Sequence, residues 1–333
     1  MDGIKQAVAD GVVGLILPFV DVATNGGNRL FWVYLIAAAV IAVLVYRRAA
    51  PGVVPADRPS FLAFLFPKHI WRHPSARTDM GVVLAASVVM SLLFWPLLPG
   101  VGDVSDWLTT ALGGGDTAGA PPPPAWVIAA FTVALLVADD FAKFFAHYLM
   151  HKVPALWELH KVHHSAEVLT PLTAYRFHPL ELVLTALIVV TCVGGVNAAF
   201  VLAWGDGLSH ITLFGANIGL VVFNLLGGTL RHSHIWVSFG PRLERWFISP
   251  AQHQIHHSFA PRHIDKNMGY HLAIWDRIAG TLYVPDGHER FPLGIGEESR
   301  AFRGVAANLF RPLMGMTRVL LPARDDRRRP RPS

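Results

Sequence analysis

AWVIAAFTVALLVADDFAKFFAHYLMH, residues 125–151, joins a membrane-span pattern to a metal-ligand pattern within one run. The stretch is uncharged from Ala125 to Ala138, and continued to about His147 it is long enough to cross a hydrocarbon core as a helix. Asp139, Asp140 and Lys143 interrupt its second half, so that face is expected to meet protein or water rather than lipid. It then ends on HYLMH. His147 and His151 stand four residues apart, which places both imidazoles on one helix face about one turn from each other.

Other segments repeat the apolar pattern. Leu30–Tyr46 ends at Arg47 and Arg48, and Met80–Val101 follows a basic stretch with Lys68, Arg72 and Arg77. Leu180–Trp204 and Leu208–Gly227 are separated only by Gly205, Asp206 and Gly207, which predicts a helical hairpin. Gly11–Val20, about ten residues long and containing Pro18, is short for a span, so its membrane crossing stays open. Asp103–Pro124 has acidic residues but no Lys or Arg, with GGG and PPPP runs, and reads as a loop on the side opposite the basic flanks. The acidic start lacks the basic region of a secretory signal. With 53% apolar and 15% charged residues among 333, the composition is that of a membrane protein. The fold class expected is all-α and integral to the membrane, with four to six embedded helices. The basic flanks should be cytoplasmic, which puts residues 147–178 and 231–276 together in one cytoplasmic helical cap.

The net charge of +5 comes from Lys and Arg beside apolar spans and in the tail RDDRRRPRPS, with no aromatic-interleaved basic face, so nucleic acid is not an expected partner. A single cysteine, Cys192, excludes an internal disulfide and a thiolate metal site built from one chain. Histidine carries the chemistry instead. Beyond His147 and His151, HKVHH supplies His160, His163 and His164, and HQIHH supplies His253, His256 and His257. Eight imidazoles exceed the needs of one zinc site and imply two metals in a histidine-rich di-metal site. Imidazole alone does not choose among zinc, copper, iron and nickel. HYLMH lacks the glutamate of the HExxH metalloproteases, and bis-histidine haem would leave six histidines unexplained. Two irons with positions open to oxygen fit the set best; a zinc hydrolase and a histidine-relay metal transporter are the rivals.

The phrases DDFAKFFAHYLMH, LWELHKVHHSAE, RFHPLE, SPAQHQIHHS and NMGYHLAIWDRIAGT, together over roughly residues 125–285, resemble the fatty acid hydroxylase and sterol desaturase superfamily, which includes alkylglycerol monooxygenase and bacterial relatives. LFPKHIWRHPSARTD is weakly similar. The resemblance implies membrane-anchor helices and an extracytoplasmic loop in 1–124, a di-iron domain in 125–290 and a basic cytoplasmic tail in 291–333. It implies two iron ions, O2 as co-substrate, a lipid substrate, and an external electron donor such as a ferredoxin or a reductase docking on Arg-rich surface. The expected reaction is hydroxylation of a fatty acyl, sterol or related lipid by C–H abstraction and oxygen rebound, with desaturation at the same site as the alternative. The location implied is a bacterial inner membrane, with the histidine clusters and the C-terminus cytoplasmic.

The same resemblance carries the eight histidines over as ligands and adds His232 and His234 of LRHSHIW, because relatives contribute one or two histidines between the second and third boxes. His178, Asp140, Asn267 and Asp276 are expected to support the ligands, with Asp139, Glu158 and Glu181 the other nearby carboxylates. His69, His73, His210, His263, His271 and His288 lack partner spacing and are read as non-ligands.

Overall fold

The computed structural model describes residues 23–48, 59–114 and 122–321. These are mostly helical, with a single two-stranded hairpin. The apolar runs become α1 (Trp32–Arg48), α4 (Pro74–Val89), α6 (Ala125–Lys152) and α8 (Pro179–Trp204). Between α1 and α4 lie the short α2 (Phe61–Leu65) and α3 (Lys68–Trp71). Three stretches are long and apolar enough to cross a membrane: Pro74–Ala111, Ala125–Lys152 and Pro179–Trp204. Of the 26 residues of α8 only Pro179, Glu181, Gly194 and Ala198 are buried, so most of its apolar side chains keep exposed surface that a bilayer would cover. The protein is built as a membrane protein.

Several expectations are corrected. Asp103, expected in a loop, lies in α5 (Val101–Ala111), which packs along α8. A Cβ on Gly194 would stand 2.9 Å from the Val104 side chain, so the absent side chain sets this close crossing, and Asn197 Nδ2 donates to Ser105 Oγ beside it. Residues 115–121 of the same expected loop, and Gly11–Val20, lie outside the described residues. Leu208–Gly227 is not a continuous span. It holds β1 (Thr212–Leu213), β2 (Ala216–Asn217) and the eight-residue α9 (Ile218–Leu225). Eight residues give a helix of roughly 12 Å, well short of a hydrocarbon core of roughly 30 Å.

Turn chemistry breaks that run. Phe214 and Gly215 take positive φ between the strands, and Asn217 caps α9 by accepting from the Gly219 N–H. The hairpin is tied to α6, since Asn217 Nδ2 donates to the Thr132 carbonyl and the Ile211 N–H to Thr132 Oγ1. The chain still returns along α6 to the Lys152 end, because His232, at the end of a 3₁₀ turn (Gly228–His232), meets the other histidines there.

At that end gather α7 (Pro154–His164), α10 (Pro250–His256), α11 (Ile274–Ala279) and α12 (Val305–Leu320). Residues 291–321 are folded onto this assembly, with α12 lying against α7. A buried ion pair fastens α4 beneath it. Arg176 Nη1 is 2.9 Å from Asp79 Oδ1, while Nε donates to the Val162 carbonyl and Nη2 to Ser165 Oγ.

Candidate metal centre

The site is assembled from four pieces of backbone. The last turn of α6 supplies His147 and His151. Val153 ends that helix, and Pro154, at the first position of α7, restarts the chain in a new direction with no N–H to satisfy. α7 then presents His160, His163 and His164. The 3₁₀ turn supplies His232, and α10 with the residue after it supplies His253, His256 and His257. α10 is pinned by a reciprocal cap: Ser249 Oγ accepts from the Gln252 N–H, Gln252 Oε1 accepts from the Ser249 N–H, and Ser249 Oγ donates to buried Glu244.

Nine histidines fall into two groups that can each hold a metal ion. His147, His151, His160, His164 and His256 form one; His163, His232, His253 and His257 form the other. In the second group His232 Nε2 lies 3.3, 3.0 and 3.1 Å from the Nε2 atoms of His163, His253 and His257. Nitrogens about 2.0–2.1 Å from a common metal are separated by about 3.3 Å in a tetrahedron and about 3 Å in an octahedron, so these spacings fit convergence on one ion without choosing its geometry. In the first group His164 Nε2 and His256 Nε2 are 3.0 Å apart. The Nε2 atoms of His147, His151 and His160 are buried without a hydrogen-bond partner among the described residues. Buried unpaired polar atoms are rare, and bound metals would satisfy these.

The two HxxHH boxes divide reciprocally. HKVHH sends its outer pair, His160 and His164, to the first group and His163 to the second. HQIHH sends its outer pair, His253 and His257, to the second group and His256 to the first. The i,i+4 pair shares a face while the i+3 residue reaches past it. The rings of His164 and His257 lie 4.8 Å apart where the groups meet.

The first group is oriented from behind. His147 Nδ1 donates to the Met268 carbonyl and His256 Nδ1 to the Lys266 carbonyl, each at 2.8 Å. A carbonyl can only accept, so the proton sits on Nδ1 and the Nε2 lone pair is left for a metal. Glu181 Oε1 lies 2.6 Å from His160 Nδ1, and Asp265 Oδ1 lies 3.3 Å from His151 Nδ1. In the second group the Nδ1 atoms of His163, His253 and His257 have no partner among the described residues. Burial, followed by the neighbouring imidazoles, holds His163, His164, His253 and His257 well below the ordinary histidine range. Burial, with Arg29 and Arg231 adding to it, does the same for His232, and His256 is pushed down to about 3 by burial. All six are therefore neutral imidazoles at neutral pH.

The other expected residues sort differently. His234 is not in either group: Nε2 lies 2.7 Å from the Phe64 carbonyl and its ring packs on Phe64. His178 instead caps α8 by accepting from the Leu180 N–H, and its Nε2 donates to the Leu309 carbonyl. Asp140 accepts from the His271 and Leu272 N–H groups and the Trp275 indole, so it fixes the 271–275 turn and bonds to no ring of the two groups. Asp276 holds the Met268 and Gly269 N–H groups, and thereby the carbonyl that His147 uses. Asn267, at φ 56, accepts from the Tyr283 N–H and donates to the Gln252 carbonyl, tying the 265–268 loop to α10. Glu181, one of the nearby carboxylates named from the sequence, is thus the one that meets a ring of the first group. Asp265 is not among those expected residues, and nothing local in the sequence marks it.

The fatty acid hydroxylase family model matches residues 132–281, which contain all nine clustered histidines. An ornithine lipid hydroxylase from Rhizobium tropici is 29% identical over 57% of this chain and 52% of its own length. A Delta(7)-sterol 5(6)-desaturase from Aspergillus fumigatus is 26% identical over 67% of this chain and 60% of its own length. Alkylglycerol monooxygenase from Xenopus tropicalis is 30% identical over 44% of this chain and 29% of its own length. The chain thus spans at most three fifths of these relatives. No solved structure matches it significantly.

Proposed function

Residues 132–281 match the fatty acid hydroxylase family, and from that premise we propose that the chain is a membrane-bound di-iron, oxygen-dependent hydroxylase of a lipid. The observation that carries this reading is the pair of adjoining histidine groups, five and four strong, reached from inside a membrane-type fold. The first group would hold one iron and the second the other. Bound there, two irons supply oxidising power for an unactivated C–H bond: one atom of O2 enters the bond, and the other leaves as water with two external electrons and two protons.

The chain's own residues do the rest. Met268, Lys266, Glu181 and Asp265 hold four imidazoles in the tautomer that ligates. The burial of His160, His163, His164, His232, His253, His256 and His257 keeps water from the centre. An acyl or sterol chain enters from the bilayer between the apolar helices, and its placement selects hydroxylation over desaturation. Arg47, Arg48, Lys68, Arg72 and Lys152 mark the histidine end as cytoplasmic, in a bacterial inner membrane. Residues 125–290 form the catalytic unit, 1–124 the anchor and 291–333 a basic cytoplasmic segment. Exposed Arg242, Arg245 and Arg277 offer a basic surface to an acidic ferredoxin or a reductase.

The test is lipid analysis of cells with and without the gene, with His256→Ala as control, together with metal analysis of anaerobically purified protein. A lipid that gains one oxygen, absent with the variant, and about two irons per chain are expected. Loss of two hydrogens instead means a desaturase. A redox-silent zinc protein that still turns over a lipid sinks the oxygenase reading.

A further inference from the structure

Beside the histidine groups lies a cluster of cations that metal binding does not use. Three of them surround one ring, that of Tyr270. Arg29 Cζ is 4.2 Å from its centroid, Lys143 Nζ 4.8 Å and Arg231 Cζ 5.9 Å. Neither of the two nearby carboxylates forms an ion pair with an arginine of this cluster. Asp139 Oδ2 pairs with Lys143 Nζ at 2.7 Å, and Asp140 receives the His271 and Leu272 N–H groups and the Trp275 indole. Among the described residues neither arginine makes an ion pair.

Arg231 is 3% exposed and donates to the carbonyls of Tyr270 and Ile248, which satisfy two N–H groups but bring no negative charge. Its Nε, and Nη2 of Arg29, are buried with no partner among the described residues. A buried guanidinium short of acceptors and of countercharge is costly, and a cation on a membrane-type helix, as Lys143 is on α6, marks a ligand path. Guanidinium N–H groups suit a carboxylate or phosphate, which accept two such bonds at once.

The position fits a lipid head. Lys143 precedes His147 by one helical turn, about 6 Å along the axis, and Arg231 is the residue before His232. Lys143 and Asp139 are each about a quarter exposed, at 23% and 24%, so the cluster opens on the side of α6. We propose that Arg29, Lys143 and Arg231 bind the anionic head, carboxylate or phosphate, of an amphiphile whose first carbons lie beside the histidine groups. That this amphiphile is the substrate rests on the function proposed above; that it binds does not.

Binding is measured without reductant, on the iron-loaded full chain in phosphatidylcholine nanodiscs. Fluorescent octadecanoate, its methyl ester and an octadecyl phosphate analogue serve as probes. Both anionic probes are expected to bind at least tenfold more tightly than the ester. Arg29→Gln should remove most of that preference and leave ester binding unchanged, while Arg29→Lys should restore part of it. Arg231→Gln, which also loses bonds to two loops, is read only beside its melting temperature. Equal binding of acid and ester, or an Arg29→Gln variant with undiminished preference, overturns the proposal. Displacement of the probes by millimolar inorganic phosphate would also overturn it, because the site would then take a free anion. Preference for the anionic probes in a protein that oxidises no lipid would refute the enzyme reading and leave this one standing.

Discussion

Glu181→Gln isolates what the buried carboxylate behind His160 does for the first histidine group. The Glu181–His160 contact is 2.6 Å, between side chains only 5% and 2% exposed. A bond from Nδ1–H to a carboxylate is about twice as strong as one to a neutral acceptor, and removal of such a partner typically costs 10–100-fold in metal affinity. The glutamine keeps the shape, so the expected loss is near the lower limit, about tenfold or ~1.4 kcal/mol. Glu181→Ala also strands the buried Nδ1–H and should reach the upper limit. The assay is an equilibrium titration of iron-loaded protein with a chromogenic chelator. Because Glu181 touches only the first group, one iron should leave at about tenfold lower chelator while the other holds, splitting the release curve in two. Glu298→Gln, at a side chain 45% exposed, should change nothing. Coincident release of both irons at the unaltered chelator concentration, with the melting temperature intact, refutes the reasoning.

His232→Ala should lower bound iron from about two to about one per chain, whereas His234→Ala should keep both; the reverse pattern in metal analysis would contradict the geometry. Asp79→Asn leaves Arg176 buried without its countercharge, and breaking a buried pair this way costs about 3–5 kcal/mol, to be read from chemical denaturation. For pH, His256 falls from an ordinary 6.5 to about 3 on folding. Its contribution to stability is therefore intact above pH 6.5 and lost as pH falls toward 3, because the unfolded chain takes up the proton first. Chelator-treated protein should lose up to about 1.4 kcal/mol per pH unit from this residue alone below pH 6.5. A melting temperature flat from pH 7.5 to 5.5 would count against it. Gly269→Ala would place a Cβ 2.7 Å from Asp276 Oδ2 and 2.9 Å from the Leu272 carbonyl, displacing the Met268 carbonyl from His147, so iron affinity should fall.

Much of the centre was legible in the sequence because helical spacing is a local rule: three and four residues apart means one face, and it marks eight of the nine clustered histidines. The assignment between groups was not, since HKVHH and HQIHH are the same pattern and only the way their rings meet across the centre decides which face serves which group. His232 and His234 stand two residues apart in LRHSHIW. The 3₁₀ turn ends at His232 and the backbone extends at Ser233, at φ −151, carrying His234 away to Phe64. Hydropathy misled at Leu208–Gly227 because apolar composition looks alike in a spanning helix and in a broken segment packed on α6. Asp265 reaches His151 across 114 residues of sequence, a distance at which spacing rules have no purchase.

The reciprocal division of the two boxes bears on how the centre fills. Neither box owns a group; each lends two imidazoles to one group and one to the other. An ion captured at either group would therefore clamp the two helices at the separation the second group needs. The second ion would then meet ligands already at high local concentration, with their ordering entropy spent in the first binding event. Loading of the unaltered chain should accordingly be cooperative, and a change confined to one group, such as Glu181→Gln, is what lets a one-ion chain accumulate.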